Sequence, residues 1–333
     1  MSGRRILVTG ASGMLGGAVA TALRDRGEQV RAFQRRPAGI DGVTDVNGSL
    51  TSAEDVRRAA DGCDAVIHLA AKVSISGPES EYRDINIGGT RNVVDARRAP
   101  GGGQLVNVSS PSVAHLGTAI VGLGATPADP EHARGPYART KAAAELLAME
   151  ADGRDGLLVT SIRPHVVWGP GDTQLVGRIV DRARSGRLPL LDDGMALIDT
   201  TYVTNAADAI VAALDRIEDV HGESFVVTNG EPRTVRDVFN GWCDAAGVPR
   251  PRIKVPGSVA RAAGRVVERL WEIRPGADEP PMTEFLAEQM STAHWFDQRR
   301  TRERLQWSPA VSIDEGFERL ADWYRAHPVV GAQ

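Results

Sequence analysis

The chain opens on Arg4-Arg-Ile-Leu-Val-Thr9 and runs straight into Gly10-Ala-Ser-Gly-Met-Leu-Gly16. An apolar strand ending in glycines three positions apart, followed at once by a helical pattern, leaves few folds open. Gly10 permits a tight turn, Gly13 lets a ligand approach the backbone, and Gly16 lets the helix pack close to the strand. Free N–H groups at the helix start then face an anion, and the pyrophosphate of a dinucleotide suits that geometry.

Apolar runs and amphipathic stretches alternate through the first half, the pattern of a parallel sheet covered by helices on both faces. The spacing predicts strands at 4–9, 29–34, 65–70, 104–109 and 157–163, with helices near 14–26, 52–60, 82–98 and 136–151. Thr51-Ser-Ala-Glu54 fits a capping box at the second helix. After Trp168 the register loosens: Gly169-Pro-Gly171 breaks the chain, a helix follows over 173–185, and 186–194 reads as an irregular connection. A strand end and helix over 199–214 and a strand over 224–228 come next, and from Pro232 the chain is mainly helical. The expected fold is α/β: a doubly wound, Rossmann-type parallel sheet with a smaller, mainly helical C-terminal lobe. The dinucleotide-binding domain is expected at 1–170, with 199–228 returning to it, and a substrate-binding lobe at 171–198 and 229–333.

A net charge of −4 gives no basic surface for nucleic acid or anionic membrane, so neither is an expected partner. Cys63 and Cys243 stand far apart without metal spacing and read as buried small hydrophobes in a reducing compartment. No stretch reaches the length of an integral membrane segment, and a strand within the first ten residues leaves no room for a secretory leader, so the expected location is cytoplasmic. Ser258 to Ile273 has apolar residues at 259, 263, 266, 267 and 270 among arginines and glutamates. It reads as a helix packed on its neighbours, with a membrane-surface helix as the alternative.

The end of the second strand selects between NAD and NADP, because a carboxylate there bonds the ribose hydroxyls whereas a cation accepts a 2′-phosphate. This chain has Phe33-Gln34-Arg35-Arg36-Pro37 and no carboxylate, which favours NADP(H), with Arg35 and Arg36 as phosphate ligands and NAD as the alternative. Further on, Tyr137 and Lys141 stand four apart at the start of a helix, so their side chains share a face. A phenol with its ordinary pKa of about 10 exchanges protons poorly at neutral pH, and a neighbouring ammonium would pull it down. Ser109-Ser110-Pro-Ser112 lies at the carboxyl end of the preceding strand, where ligands bind in open α/β sheets, and a hydroxyl there can bond a substrate oxygen.

These residues resemble the extended short-chain dehydrogenase/reductases. The resemblance rests on the glycines at 10, 13 and 16, His68-Leu-Ala-Ala71, Asn86-Ile-Gly-Gly-Thr90, the Ser110/Tyr137/Lys141 triad and Arg163-Pro-x-x-Val-Trp-Gly-Pro170. It implies that Ser110 and Tyr137 hold the substrate oxygen while Lys141 tunes the tyrosine and bonds the nicotinamide ribose. It also implies cofactor contacts from Gly10, Ser12, Gly13, Met14, Leu15, Gly16, Leu50, Leu69, Ala70, Ala71, Tyr137, Lys141, Pro164 and Val167. Where the family often carries an acidic residue that contacts adenine, this chain has Ser49, which leaves that contact open. Ser-Ser-Pro-Ser-Val113, Asp-Thr-Thr-Tyr-Val203, Asn-Gly-Glu-Pro-Arg233 and Ser-Thr-Ala-His-Trp-Phe-Asp297 are similar to the 3β-hydroxysteroid dehydrogenase-like branch, and especially to bacterial 2-alkyl-3-oxoalkanoate reductases of olefin biosynthesis. That narrower resemblance implies a small-molecule substrate with hydrophobic acyl chains, and leaves room for a homodimer and for association with other olefin-pathway enzymes.

His165 and His115 read as packed or hydrogen-bonded rather than catalytic, and neither has metal spacing. His294-Trp295-Phe296 reads as lobe core, with an acyl pocket as the alternative. Tyr202 and Asn205 are open between scaffold and cofactor contact. Competing functions are a hydroxysteroid or related alcohol dehydrogenase, a sugar-nucleotide epimerase or dehydratase, and a redox-sensing module without turnover. Dehydratases of this fold commonly place an acidic pair beside the triad serine, and none stands beside Ser110. Non-catalytic sensors tend to lose the Tyr/Lys pair, and this chain keeps both.

Overall fold

The computed structural model describes residues 3–73, 77–98, 103–115, 117–273 and 284–329. Ile6, Leu7 and Val8 are fully buried, as a strand covered on both faces requires, and they form β1 (Arg5–Thr9). α1 (Met14–Asp25), β2 (Gln29–Gln34), β3 (Thr44–Asn47), α2 (Ala53–Ala60) and β4 (Ala65–His68) follow. Next, α3 (Glu79–Tyr82) and α4 (Gly89–Arg97) are joined by a π-helical turn, Arg83–Gly88, and lead to β5 (Gly103–Val108). A 3-10 turn, Pro111–Ala114, precedes β6 (Ile120–Leu123), α5 (Gly135–Glu150) and β7 (Leu157–Pro164).

β8 (Val167–Trp168), α6 (Val176–Arg184), β9 (Pro189–Leu191), β10 (Leu197–Ile198) and β11 (Thr201–Tyr202) lead to α7 (Val203–Asp215), α8 (Ile217–Val220) and β12 (Ser224–Val227). The C-terminal part holds β13 (Arg233–Thr234), α9 (Val235–Ala245), β14 (Ile253–Val255), α10 (Gly257–Ile273), α11 (Glu284–Ser291), β15 (His294–Phe296), α12 (Arg299–Leu305) and α13 (Ile313–Ala326).

The main sheet has seven parallel strands in the order β12-β7-β5-β4-β1-β2-β3. The chain leaves β1 toward β2 on one side and resumes at β4 on the other. A crevice therefore opens beyond the carboxyl ends of β1 and β4, the switch point where such sheets bind ligands. The C-terminal region is helical as expected, and it also carries a four-stranded sheet, β13-β10-β15-β6. A second hydrophobic cluster around Trp168, Trp242 and Ile313 fills this region, and Met14 and Leu15 from the first turn of α1 pack against it.

Three expectations need correction. β3 forms at 44–47, where the sequence spacing predicts no strand, because Thr44-Asp-Val-Asn47 is an exposed edge in which only Val46 is half-buried. The stretch 186–194 is not wholly irregular, since β9 pairs with β14. The cap of α2 is Ser52, whose hydroxyl accepts from the Asp55 amide at 3.2 Å, one position beyond the Thr51/Glu54 reading. Ser258 to Ile273 does form a helix, packed on α11. The side chains at 266 and 270 lie outside the described residues. Cys63 and Cys243 are buried and free, and no described helix is long and apolar enough to cross a membrane.

Candidate active site

The glycine turn divides its labour. Gly10 has φ +78°, and a Cβ there would meet the Ala70 backbone at 3.0 Å. A Cβ at Gly16 would press to 2.2 Å on the Gly10 carbonyl, so both glycines are required by packing. A Cβ at Gly13 would meet nothing nearer than 3.5 Å, so the fold does not demand glycine there. Gly13 is also the N-cap of α1, with no side-chain cap and no acidic residue in the first turn. The first N–H groups of the helix are thus left for an anion, and the site fits a dinucleotide pyrophosphate. Ser12 is exposed on this turn, with Met14 and Leu15 half-buried behind it.

Buried hydrogen bonds tie β1 to the loop after β4. Thr9 Oγ1 bonds His68 Nδ1 at 2.8 Å and accepts from the Ala70 amide at 3.1 Å, while His68 Nε2 reaches Thr90 Oγ1 at 3.1 Å. Burial, then the charge of Lys141, pushes His68 down to about 3, so it stays neutral. Leu69, Ala70 and Ala71 are left half-buried along the crevice. Leu50 packs against the start of α4, where a Cβ at Gly89 would meet its side chain at 3.0 Å. Ser49 is bonded to Thr51, Oγ to Oγ1 at 2.8 Å.

Arg35 and Arg36 follow β2 and are exposed, and neither forms an ion pair among the described residues. The turn that carries them is fixed by Asp45 on β3, which accepts from Gln34 Nε2 and from the Ala38 amide, each at 2.8 Å.

Ser110, Tyr137 and Lys141 come together at the carboxyl end of β5. Ser110 caps the 3-10 turn, its hydroxyl accepts from Ser112 Oγ at 3.0 Å, and it is hydrogen-bonded to the Tyr137 phenol. Tyr137 and Lys141 occupy the first turns of α5, where Pro136 suits the helix start. Lys141 is buried, donates to the Val108 carbonyl at 2.7 Å, and is pushed by burial to about 8, against the pull of Glu145. The tyrosine departs from the sequence argument. Burial raises its pKa, the Ser110 bond only partly offsets this, and Lys141 is not among the groups that shift it. Its phenol is a protonated donor at neutral pH.

Sequence reasoning assigned no role to the frame around this triad. Asn86, in the π-helical turn, is buried; its amide donates to Thr140 Oγ1 at 3.0 Å, and its oxygen accepts from the Lys72 amide at 2.7 Å. It thereby locks α5 to the loop after β4, and π turns often mark such sites. The signal was Thr140, placed between the two catalytic candidates. Ser109, quoted in the sequence beside Ser110 but given no role of its own, has a buried hydroxyl without a hydrogen-bond partner among the described residues.

Pro164 ends β7 and is buried, Val167 opens β8 and is half-buried, and between them Val166 holds φ +44°, costly for a β-branched residue. Asn205 is fully engaged in the scaffold: it donates to Asn229 Oδ1 and the Val311 carbonyl and accepts from the Ala310 and Val311 amides. Tyr202 is buried edge-on to Trp168 at 5.4 Å between centroids. His165 bonds the Asp199 carbonyl through Nδ1 at 2.7 Å, and burial pushes it to about 4. His115 packs edge-on to His294 at 4.8 Å. These residues are structural in this geometry.

Residues 6–228 match the NAD dependent epimerase/dehydratase family. The chain belongs to that family. It is 41% identical over 324 residues to a 2-alkyl-3-oxoalkanoate reductase of Stenotrophomonas maltophilia, covering 95% of this chain and 98% of the relative. A 2-alkyl-3-oxoalkanoate reductase of Shewanella oneidensis is 35% identical, covering 94% and 84%. Among solved structures, MoeE5 in complex with UDP-glucose and NAD superposes with a TM-score of 0.76 at 23% identity, covering 97% of this chain and 99% of that one. The fold is that of the extended short-chain dehydrogenase/reductases, and the chain is an NAD(P)-dependent oxidoreductase.

Proposed function

We propose that this enzyme uses NADPH to reduce the 3-keto group of a 2-alkyl-3-oxoalkanoic acid to the 3-hydroxy acid. The observation that carries the reading is the Ser110–Tyr137–Lys141 cluster at the switch-point crevice, in a chain related over nearly its whole length to reductases of that name. When bound, the cofactor supplies a hydride to the carbonyl carbon. Tyr137, held protonated by burial, donates to the carbonyl oxygen as negative charge develops there. Ser110 orients that oxygen with a second hydrogen bond, worth most where water is excluded. Lys141 keeps a cation close to the site, and Asn86 and Thr140 hold the helix that presents both groups.

Two observations support NADPH over NADH. No carboxylate ends β2, and the turn that holds Arg35 and Arg36 is pinned by Asp45, leaving two guanidinium groups without an ion pair among the described residues near the expected ribose. The test is a parallel screen of 2-alkyl-3-oxo acids and 3β-hydroxysteroids with both cofactors in the matching redox state. NADPH consumption with the keto acid is the expected result. Steroid oxidation without keto-acid reduction would replace this reading with a hydroxysteroid dehydrogenase. We further propose that the protein works in the cytoplasm, with residues 1–170 and 199–228 carrying the cofactor and the remainder the substrate.

A further inference from the structure

A cavity of about 330 Å³ lies beside the site without including Ser110, Tyr137 or Lys141 in its walls. We propose that this cavity seats one of the two hydrocarbon chains of the substrate while the keto group rests at Ser110 and Tyr137. The proposal rests on the keto-acid reading above. Its wall begins at Pro111, one residue after Ser110, and continues through Ala114, Ile120, Leu123 and Phe296. Ser110 caps the turn that carries Pro111 and Ala114, so the hydroxyl that would bond the carbonyl stands one residue from the cavity wall.

The polar groups on the walls decide which end of the substrate enters. Arg163 is the cation among the described lining residues, and its guanidinium is spent on Glu145, at 2.6 Å, and on the Thr126 carbonyl, at 2.6 Å. Asp129 accepts from the Glu131 and His132 amides and from His132 Nδ1, and it adds negative charge to the wall. A carboxylate would meet no available cation here and one like charge, whereas an alkyl chain loses nothing. Size limits the occupant as well, because about 330 Å³ is at the small end for ligand pockets and suits one chain rather than two. Val121 and Leu123 leave 55% and 50% of their surface in water, and Leu123 also lines the cavity, which marks an aliphatic mouth on β6.

The test uses the stable reverse substrates, a series of 2-alkyl-3-hydroxyalkanoic acids in which the 2-alkyl and the 3-chain are lengthened separately, oxidised by the intact enzyme with NADP+. Along one of the two chains kcat/KM should rise by up to about fourfold per methylene until the cavity is filled. Ala114→Leu, which puts an isobutyl group into the cavity, should lower the long-to-short ratio on that chain by about tenfold or more. Phe296→Ala should move the end of the rise to longer chains, and it keeps the test alive if the first variant fails to fold. Wild-type ratios on both chains in variants that still bind NADPH, or no chain-length dependence in the wild type, would overturn the proposal. NADPH binding with no turnover of any member would instead remove the keto-acid reading and the proposal with it, an outcome distinct from misplaced chains.

Discussion

Lys141 is buried against the Val108 carbonyl, and burial lowers it from 10.5 to about 8 while Glu145 opposes the shift. At pH 7 about nine-tenths of its side chains carry charge, and at pH 9 about one-tenth. Tyr137 ionises above its ordinary value, so its own titration lies higher still. The pH dependence of kcat/KM for the cofactor, which reports groups of the free enzyme, should therefore turn down near pH 8 and fall about tenfold per pH unit beyond it. Stability should move the other way. The unfolded lysine keeps its proton to 10.5, so between about 8 and 10.5 the unfolded chain binds more protons, and this group favours the fold by up to about 3 kcal/mol as pH rises. Urea titrations at each pH separate the two effects. Lys141→Arg should carry the limb out of range, since a guanidinium does not deprotonate. A flat profile to about pH 10, or the same limb in the arginine variant, would refute the reasoning.

Glu145 and Arg163 form a fully buried ion pair, and Glu145 also accepts from Ser224. Glu145→Gln should cost about 3 to 5 kcal/mol in urea denaturation by stranding the guanidinium, and should move the Lys141 limb to lower pH; a loss under about 1 kcal/mol would contradict this. At Val166 the usual order of substitutions should invert: the glycine variant should be more stable than the alanine variant by about 1 kcal/mol, because only glycine relieves the positive φ, and an ordinary preference for alanine would show that no strain is held there. Arg35→Ala/Arg36→Ala should collapse an NADPH preference of about tenfold while NADH use barely changes. A preference that survives both substitutions would place the phosphate elsewhere.

Local chemistry explains why some features were legible. The glycine turn, the buried runs of β1, β4 and β5, and the Tyr137/Lys141 spacing are each dictated by backbone geometry or a single helical turn, so sequence spacing alone locates them. β3 was invisible because an exposed edge needs no apolar pattern, and β9 because its partner β14 lies far along the chain. The tyrosine was misjudged for a related reason. Spacing places an ammonium near a phenol, but burial of each group, which only the assembled fold supplies, raised one pKa and lowered the other. Asn86 needed the π-helical turn to reach Thr140, and nothing in Arg83–Gly88 announces that irregularity. Asn205, open on sequence, is consumed by contacts with residues more than a hundred positions away.

The central claim is that Tyr137 gives the proton to a carbonyl oxygen in a site that otherwise remains intact without it. Tyr137→Phe removes one hydroxyl and leaves the ring, Ser110, Lys141 and the glycine turn in place. The decisive measurement is single-turnover reduction of a 2-alkyl-3-oxo acid by the phenylalanine variant, with the NADPH dissociation constant taken on the same sample. The expected result is a dissociation constant close to that of the wild type and a loss of roughly a hundredfold or more in the reduction rate, the usual worth of a positioned general acid. Near wild-type reduction by that variant would contradict the assignment of Tyr137 and the chemistry built on it.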